Sequence, residues 1–255
     1  MGMRGMLEGK VVMITGTASG VGREAAVLFA SEGAKLITAD VNELEGLKTM
    51  ETVKAAGGEG IFVQTDVSRE DQVKRLVESG KKAFGRIDCA FNNAGIDGNL
   101  EPFLDITEND WERVLGINLK GHWYLMKHEI PEMLKLGKGA IVNTCSICGV
   151  NALPNNAVYC TSRFGGLGLT KVAALEFAGK GIRINAVGPA AINTPLFQKF
   201  TQGNSEVQEN FKKMHPVGRI AEPREIAEVA CWLLSDRSSF VVGHLLLADG
   251  GVTLM

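Results

Sequence analysis

Ser146, Tyr159 and Arg163 stand thirteen and then four residues apart, and side chains of these types can together move a proton on and off an oxygen atom. A phenol titrates near about 10 in water, so it is a poor base at neutral pH unless a nearby cation stabilises the phenolate. If the segment is helical, position i+4 puts the Arg163 guanidinium one turn from Tyr159 on the same face. Ser146 closes the run GAIVNTC, where its hydroxyl can hydrogen-bond the oxygen of a bound substrate. Taken singly, each has a plainer reading: a serine at a turn or cap, a tyrosine on an amphipathic helix.

A second constellation lies near the start. Residues 11–22 read VVMITGTASGVG, an apolar strand passing into a glycine-spaced turn and then a helix. Amides at a helix start point into such a turn, and the helix dipole favours an anion there. Gly16 permits the tight turn, while Gly20 and Gly22 allow close approach of phosphates and of helix to sheet. The spacing is GxxxGxG rather than GxGxxG. Asp40 closes the next strand, KLITAD, eighteen positions after Gly22, where an acid accepts hydrogen bonds from ribose hydroxyls. Its carboxylate would repel a 2′-phosphate and no arginine follows it, so NAD is expected in preference to NADP. Moving a hydride between nicotinamide and a carbinol carbon requires a proton to leave or join the oxygen, the task open to Tyr159.

Residues 15–22, Asp66–Val67, Asn92–Asn93–Ala94–Gly95, Asn118, Ser146 and Tyr159 occur in the order and spacing of the short-chain dehydrogenases/reductases, which the chain resembles from end to end, down to Asp249–Gly250–Gly251. The resemblance implies a single Rossmann-type α/β domain with a doubly wound parallel sheet. It implies cofactor contacts from Gly16, Ser19, Gly20, Val21, Gly22 and Asp40. Further contacts would come from Asp66, Val67, Asn93, Ala94 and Gly95, from Tyr159 and Arg163, and from Pro189, Ile192 and Thr194. Asp66 could equally cap the helix that follows it. The implied catalytic set is Asn118, Ser146, Tyr159 and Arg163, acting on a neutral secondary alcohol or ketone.

Arg163 departs from that pattern, which has lysine in YxxxK. A guanidinium still stabilises a phenolate and can donate to ribose hydroxyls, but it does not readily release a proton and its fork is larger. In the resembled family the lysine is thought to join a proton relay through the ribose, a water and an asparagine matched here by Asn118. Three readings follow: slower or differently tuned dehydrogenation, an NAD-binding protein that has lost turnover, or a reaction needing less proton traffic. A second departure is Gly188–Pro189–Ala190 in place of Pro–Gly, which removes a glycine's freedom from the loop before Thr194.

The elements that must position these groups are legible as alternation. Apolar or β-branched runs at 10–14, 35–39, 60–64, 87–91, 139–144, 182–187 and 244–247 are separated by amphipathic stretches. In the first of these, Val21, Ala25, Leu28 and Phe29 form one face. Such βαβα order predicts a parallel sheet of about seven strands covered on both sides. No linker, charge block or repeat marks a boundary in the 255 residues, so a single domain 1–255 is expected. The segment 190–216 carries Leu196, Phe197, Phe200, Phe211 and Met214 among polar residues, which suits a substrate lid or a short helix packed on the core. Substrate walls are expected from Ile96, Ile147, Cys148, Leu153, Asn156 and Leu196, with Ile192 beside them.

The formal net charge is −2 from charges scattered along the chain, so no basic stripe exists for nucleic acid or a membrane surface. Uncharged stretches are broken by Asn, Gly, Pro and Ser, unlike a bilayer span. The start lacks an apolar leader segment, and five cysteines do not form a disulfide framework; a cytoplasmic setting is expected. Cys145 and Cys148 form a CxxC without a second pair or a histidine pair, so no metal is expected. His122 and His128 are expected on a helix surface or in packing. The resemblance implies a homo-oligomer, a tetramer or dimer, paired through candidate helices 107–136 and 157–178 and the C-terminal end. A distant alternative with a glycine-rich α/β fold, a methyltransferase, gives no role to Ser146 and Tyr159.

Overall fold

The computed structural model describes residues 5–255. Seven strands, β1 (Val11–Thr15), β2 (Lys35–Asp40), β3 (Glu59–Gln64), β4 (Cys89–Asn92), β5 (Gly139–Thr144), β6 (Ile182–Pro189) and β7 (Leu245–Ala248), form one sheet in the order β3-β2-β1-β4-β5-β6-β7. Every pairing is parallel. The strands fall within two residues of the expected runs, because a strand buried on both faces must be apolar throughout; all five residues of β1 are buried.

Among the described residues there are nine α-helices: α1 (Gly20–Ser31), α2 (Glu43–Ala55), α3 (Glu70–Phe84), α4 (Glu108–Leu115), α5 (Gly121–Leu136), α6 (Ala157–Phe177), α7 (Pro195–Phe200), α8 (Ser205–Lys213) and α9 (Pro223–Leu234). One core joins α1 and α9 to the sheet through Ala25, Phe29, Ala227, Ala230 and Leu234. Phe29 is fully buried there with its ring centroid 6.0 Å from that of Phe91, a burial that stabilises by about 1.5–3 kcal/mol. The opposite core joins α3 and α5 through Val73, Leu76, Leu125 and Met133.

The expected helix over 107–136 is α4 and α5 joined by one π-helical turn, Gly116–Lys120. A π turn frees a backbone carbonyl from the regular ladder and commonly marks a functional site; this one carries Asn118. Behind β4 and β5 lies a buried polar chain. Asn92 Nδ2 donates to Glu129 Oε2 (3.1 Å) and to Asn143 Oδ1 (3.0 Å), and Asn143 Nδ2 donates to Thr170 Oγ1 (2.9 Å). Burial pushes the Glu129 carboxyl up to about 8, so at neutral pH it sits mainly protonated in the core.

Segment 190–216 folds as the short helices α7 and α8. Pro195 opens α7, where a proline's missing N–H costs nothing, and Thr194 caps it by accepting from the Phe197 amide at 3.2 Å. Phe197 and Phe200 both meet the Phe211 ring edge-on, with centroids 5.4 and 5.9 Å apart.

Candidate active site

Strand order reverses between β1 and β4, whose connections leave to opposite sides, so a crevice opens at the carboxyl ends of these strands. A cleft of about 340 Å³ occupies it. One end is walled by Gly16, Ser19, Gly20, Val21 and Asp40, and the middle by Asn93, Ala94, Gly95, Pro189, Ile192 and Thr194. The other end is walled by Ser146, Ile147, Cys148, Leu153, Asn156, Tyr159, Arg163 and Leu196.

The turn after β1 is shaped for close approach. Gly16 has φ +75°, which a side chain rarely adopts, and a Cβ on Gly22 would lie 2.0 Å from the Gly16 carbonyl oxygen. Gly22 therefore sits behind the turn rather than in the cleft wall. Ser19 precedes α1 in an extended conformation without capping it, which leaves its hydroxyl and the first helix amides facing the cleft end. Asp40 accepts from the Ala18 amide and the Asn42 amide, each at 2.9 Å. One cation near this corner, Arg23, is held by the Ala18 carbonyl, by Glu45 at 2.7 Å and by the Thr49 hydroxyl at 3.1 Å. A nucleotide diphosphate fits this cradle: glycines where a Cβ would intrude, and a helix N-terminus aimed at the anion.

The ends of β1, β4 and β5 are tied together. Thr15 Oγ1 accepts from the amides of Asn93 and Ala94, both at 3.1 Å, and Asn93 Oδ1 accepts from the Thr144 hydroxyl at 3.3 Å. Asp66 lies outside the cleft wall and accepts from the Ser68 amide (2.9 Å) and hydroxyl (2.7 Å). Val67 is buried in the α3–α5 core.

Tyr159 and Arg163 project from the first turns of α6 into the other end. The guanidinium carbon lies 4.8 Å from the Tyr159 ring centroid, Nη1 donates to the Thr144 carbonyl at 3.0 Å, and the buried Nε has no partner among the described residues. Arg163 fits because position 95 is glycine: a Cβ there would lie 2.7 Å from Nη2 and 3.2 Å from Asn118 Oδ1. Burial pushes the Tyr159 phenol above its ordinary value; Arg163 and a hydrogen-bonding interaction with Ser146 both oppose that shift and the Asp97 charge adds to it, and burial prevails. The expectation of a cation beside the phenol is thus met, while its pull alone does not bring the phenol down. Burial also works against the Arg163 charge, yet Tyr159 and Cys145 hold its pKa above the usual arginine value. Ser146 Oγ accepts from the Cys148 amide at 3.1 Å and approaches the Pro189 carbonyl at 3.5 Å.

Asn118 is buried and does not line the cleft. Its side chain pairs with Ile96 in both directions, Oδ1 accepting from the amide at 2.9 Å and Nδ2 donating to the carbonyl at 2.8 Å, and it reaches the Ser162 hydroxyl at 3.2 Å. This clamp fixes the loop after Gly95 against α6. Ile96 is held in it by its backbone and is not part of the wall, whereas its neighbour Asp97 is. Sequence reasoning passed over Asp97, although its position directly after the β4-end run Asn92–Gly95 was the available signal. Thr144, Cys145, Ala190, Ala191, Phe197, Phe200, Phe211 and Ile226 complete the wall.

His122 is fully buried, its Nε2 has no partner among the described residues, and burial pushes its pKa down to about 3. His128 pairs with Glu70 at 3.1 Å. All five cysteines are free and buried; burial raises the Cys148 thiol to about 11, and Cys145 donates to the Arg163 carbonyl. Among the described residues no cluster of three His, Cys, Asp or Glu could hold a metal ion, and no helix is long and apolar enough to cross a membrane.

A nucleotide cradle joined in one cleft to a serine–tyrosine–cation set defines a class, the oxidoreductases that act on CH–OH groups with a nicotinamide dinucleotide. The family model described as "Enoyl-(Acyl carrier protein) reductase" matches residues 16–253, and the chain belongs to this short-chain dehydrogenase/reductase family. It is similar to the cyclohexanol dehydrogenase of Acinetobacter sp. (strain SE19), 39% identical over 251 residues that span 98% of each chain. It is equally similar, 39% over 248 residues, to a 2,5-dichloro-2,5-cyclohexadiene-1,4-diol dehydrogenase of Sphingobium indicum, covering 97% of this chain and 98% of that one. The crystal structure of levodione reductase superposes with a TM-score of 0.94 at 37% identity, covering 97% of this chain and 99% of that chain.

Proposed function

We propose that the protein interconverts a neutral secondary alcohol and its ketone with NAD(H), Tyr159 serving as acid and base and Ser146 polarising the substrate oxygen. The observation that carries this reading is the convergence of Ser146, Tyr159 and Arg163 at one end of a cleft whose other end holds Gly16, Gly20 and Asp40. When bound, the nicotinamide cofactor supplies the acceptor or donor of hydride. The protein's own part is to orient the oxygen on the Ser146 hydroxyl and to take up or return its proton at Tyr159 Oη. Arg163 holds a fixed positive charge against the Tyr159 ring, and Asn118 acts as a positioning residue by clamping Ile96.

NAD rather than NADP is supported by Asp40, whose carboxylate stands at the cradle while Arg23 is engaged by Glu45. A 2′-phosphate there would meet a negative charge with no free guanidinium offered by Arg23. The apolar wall formed by Ile147, Leu153, Leu196 and the rings on α7 and α8 supports a neutral substrate and a lid role for 190–216; the similarity to a cyclohexanol dehydrogenase supports a cyclic alcohol. Association into a homo-oligomer is supported by exposed apolar side chains on α4, α5 and α6, namely Trp111, Trp123, Phe164 and Leu175, and by Phe240, Leu254 and Met255 near the C-terminus. Five free cysteines support a reducing compartment such as the cytoplasm.

A second reading is NAD binding with little turnover. The observation favouring it is a Tyr159 phenol that stays above its ordinary pKa although Arg163 is in contact with its ring. One experiment separates the two: a panel of secondary alcohols and ketones followed at the NADH absorbance band with NAD and NADP, alongside Tyr159→Phe. The first reading expects turnover with NAD, at least about 1,000-fold lost in the variant while NADH fluorescence still reports binding. NADH binding without turnover across the panel would establish the second.

A further inference from the structure

The cleft contains one charged group that neither the proton transfer nor the cofactor cradle employs. Asp97 follows the Asn118-clamped Ile96 and lines the wall together with Tyr159, Ser146, Cys148 and Leu153. It makes no side-chain hydrogen bond and no salt bridge among the described residues. The neighbouring cation, Arg163, spends its Nη1 on the Thr144 carbonyl and stacks on Tyr159. The carboxylate is close enough to both for its charge to act on each of them, and partial burial raises its own pKa against the pull of Arg163. The carboxylate therefore remains available as an acceptor to any donor that enters this end of the cleft.

We propose that Asp97 accepts a hydrogen bond from a second hydroxyl of the substrate, making a diol or hydroxyketone the preferred ligand over the corresponding mono-alcohol. The inference rests on the alcohol-oxidising reading above. The wall at this end mixes Ile147, Leu153 and Leu196 with Ser146, Asn156, Tyr159 and Arg163, and Asp97 is its one carboxylate, an acceptor suited to a hydroxyl donor. Asp97 acts on specificity, while proton transfer at the reacting oxygen stays with Tyr159. Its placement also explains the clamp. Two hydrogen bonds from Asn118 to the backbone of Ile96 fix the residue immediately before the acid, which sets the acceptor at a defined position relative to Tyr159 on α6.

The test compares cyclohexanol with the 1,2-, 1,3- and 1,4-cyclohexanediols on the wild-type protein, Asp97→Asn and Asp97→Leu. Turnover is followed at the NADH band, and binding to the protein–NADH complex is followed by fluorescence. A hydrogen bond to a charged acceptor corresponds to about 10- to 100-fold in affinity. The expected result is that wild-type protein favours one diol over cyclohexanol by that factor. The ratio should fall to about one in Asp97→Leu and to an intermediate value in Asp97→Asn, which keeps a neutral acceptor, with NADH affinity unchanged in all three. A wild-type ratio near one, a ratio that survives Asp97→Leu, or a parallel loss for diol and mono-alcohol would overturn the proposal. If no compound is turned over, the oxidoreductase reading fails, and the binding ratios still decide the role of Asp97.

Discussion

Replacing Arg163 by methionine removes a buried charge while keeping an unbranched stem of similar length. The guanidinium carbon lies 4.8 Å from the Tyr159 ring centroid. Full unit charges at that separation attract by about 3.5 kcal/mol at an effective dielectric constant of about 20, or roughly 300-fold in the phenolate population. That figure is a ceiling, because phenolate charge concentrates on the oxygen beyond the ring. The expected loss in kcat/KM for alcohol oxidation near neutral pH is therefore about 10- to 300-fold. Its origin is visible in the pH profile. Oxidation needs the phenolate, so the rate rises with pH through the phenol pKa, and removing the cation displaces that rise to higher pH. Arg163→Lys keeps the charge but loses the Thr144 bond of 3.0 Å and the planar stack, and it should stay within about 10-fold of wild type. The assay is steady-state NAD reduction from pH 6 to 10, with NADH fluorescence as the check that the cradle is intact. Arg163→Met with the wild-type rate and an unmoved rising limb would refute the argument that this cation governs Tyr159. An unchanged Arg163→Lys profile would show that arginine imposes no penalty relative to lysine.

Gly95→Ala should act through the same cation, since its Cβ would sit 2.7 Å from Arg163 Nη2. Turnover is expected to fall by about 10-fold, and the shorter side chain of Arg163→Lys should recover part of it in the double variant, giving a coupling of about 1 kcal/mol or more in a mutant cycle; additive losses would count against the contact. Glu129→Gln tests the buried acid. A carboxyl raised from 4.5 to about 8 contributes stability that is complete below pH 4.5 and lost as pH rises through 8, because the unfolded chain ionises first. At roughly 1.4 kcal/mol per unit, Glu129→Gln should gain several degrees in Tm relative to wild type between pH 5 and pH 8. A difference that does not change with pH would mean that Glu129 is already charged in the core.

What the sequence made legible was whatever is written locally. The apolar runs announced the strands, because burial on both faces leaves no room for polar residues, and the glycine turn announced the cradle, because a Cβ at position 22 would strike the Gly16 carbonyl. Spacing placed Arg163 one turn from Tyr159. The features that escaped were those created by contact between distant segments. The pairing of Arg23 with Glu45 joins α1 to α2, and neither residue belongs to the pattern that directed attention to Asp40.

Asn118 shows how much of a residue's work depends on partners that its type does not name. An asparagine within a helical stretch is unfavourable by propensity, and its match to the family pattern marked it as part of a proton path. Its side chain pairs with Ile96 through both polar atoms, and the π turn that carries it keeps the main chain of Gly116–Lys120 out of the regular ladder. The same clamp moves the isoleucine out of the substrate wall and the aspartate into it. A single buried amide thereby couples three matters that seemed independent: the position of the β4 loop, the space left for an arginine beside Gly95, and the polarity of the cleft next to Tyr159. Arg163 and Asp97 are consequently neighbours in one wall with the phenol, a fixed cation and a free carboxylate whose charges both reach it. The cation favours ionisation of Tyr159 and the carboxylate opposes it, so the two charges beside the phenol act on its proton in opposite senses.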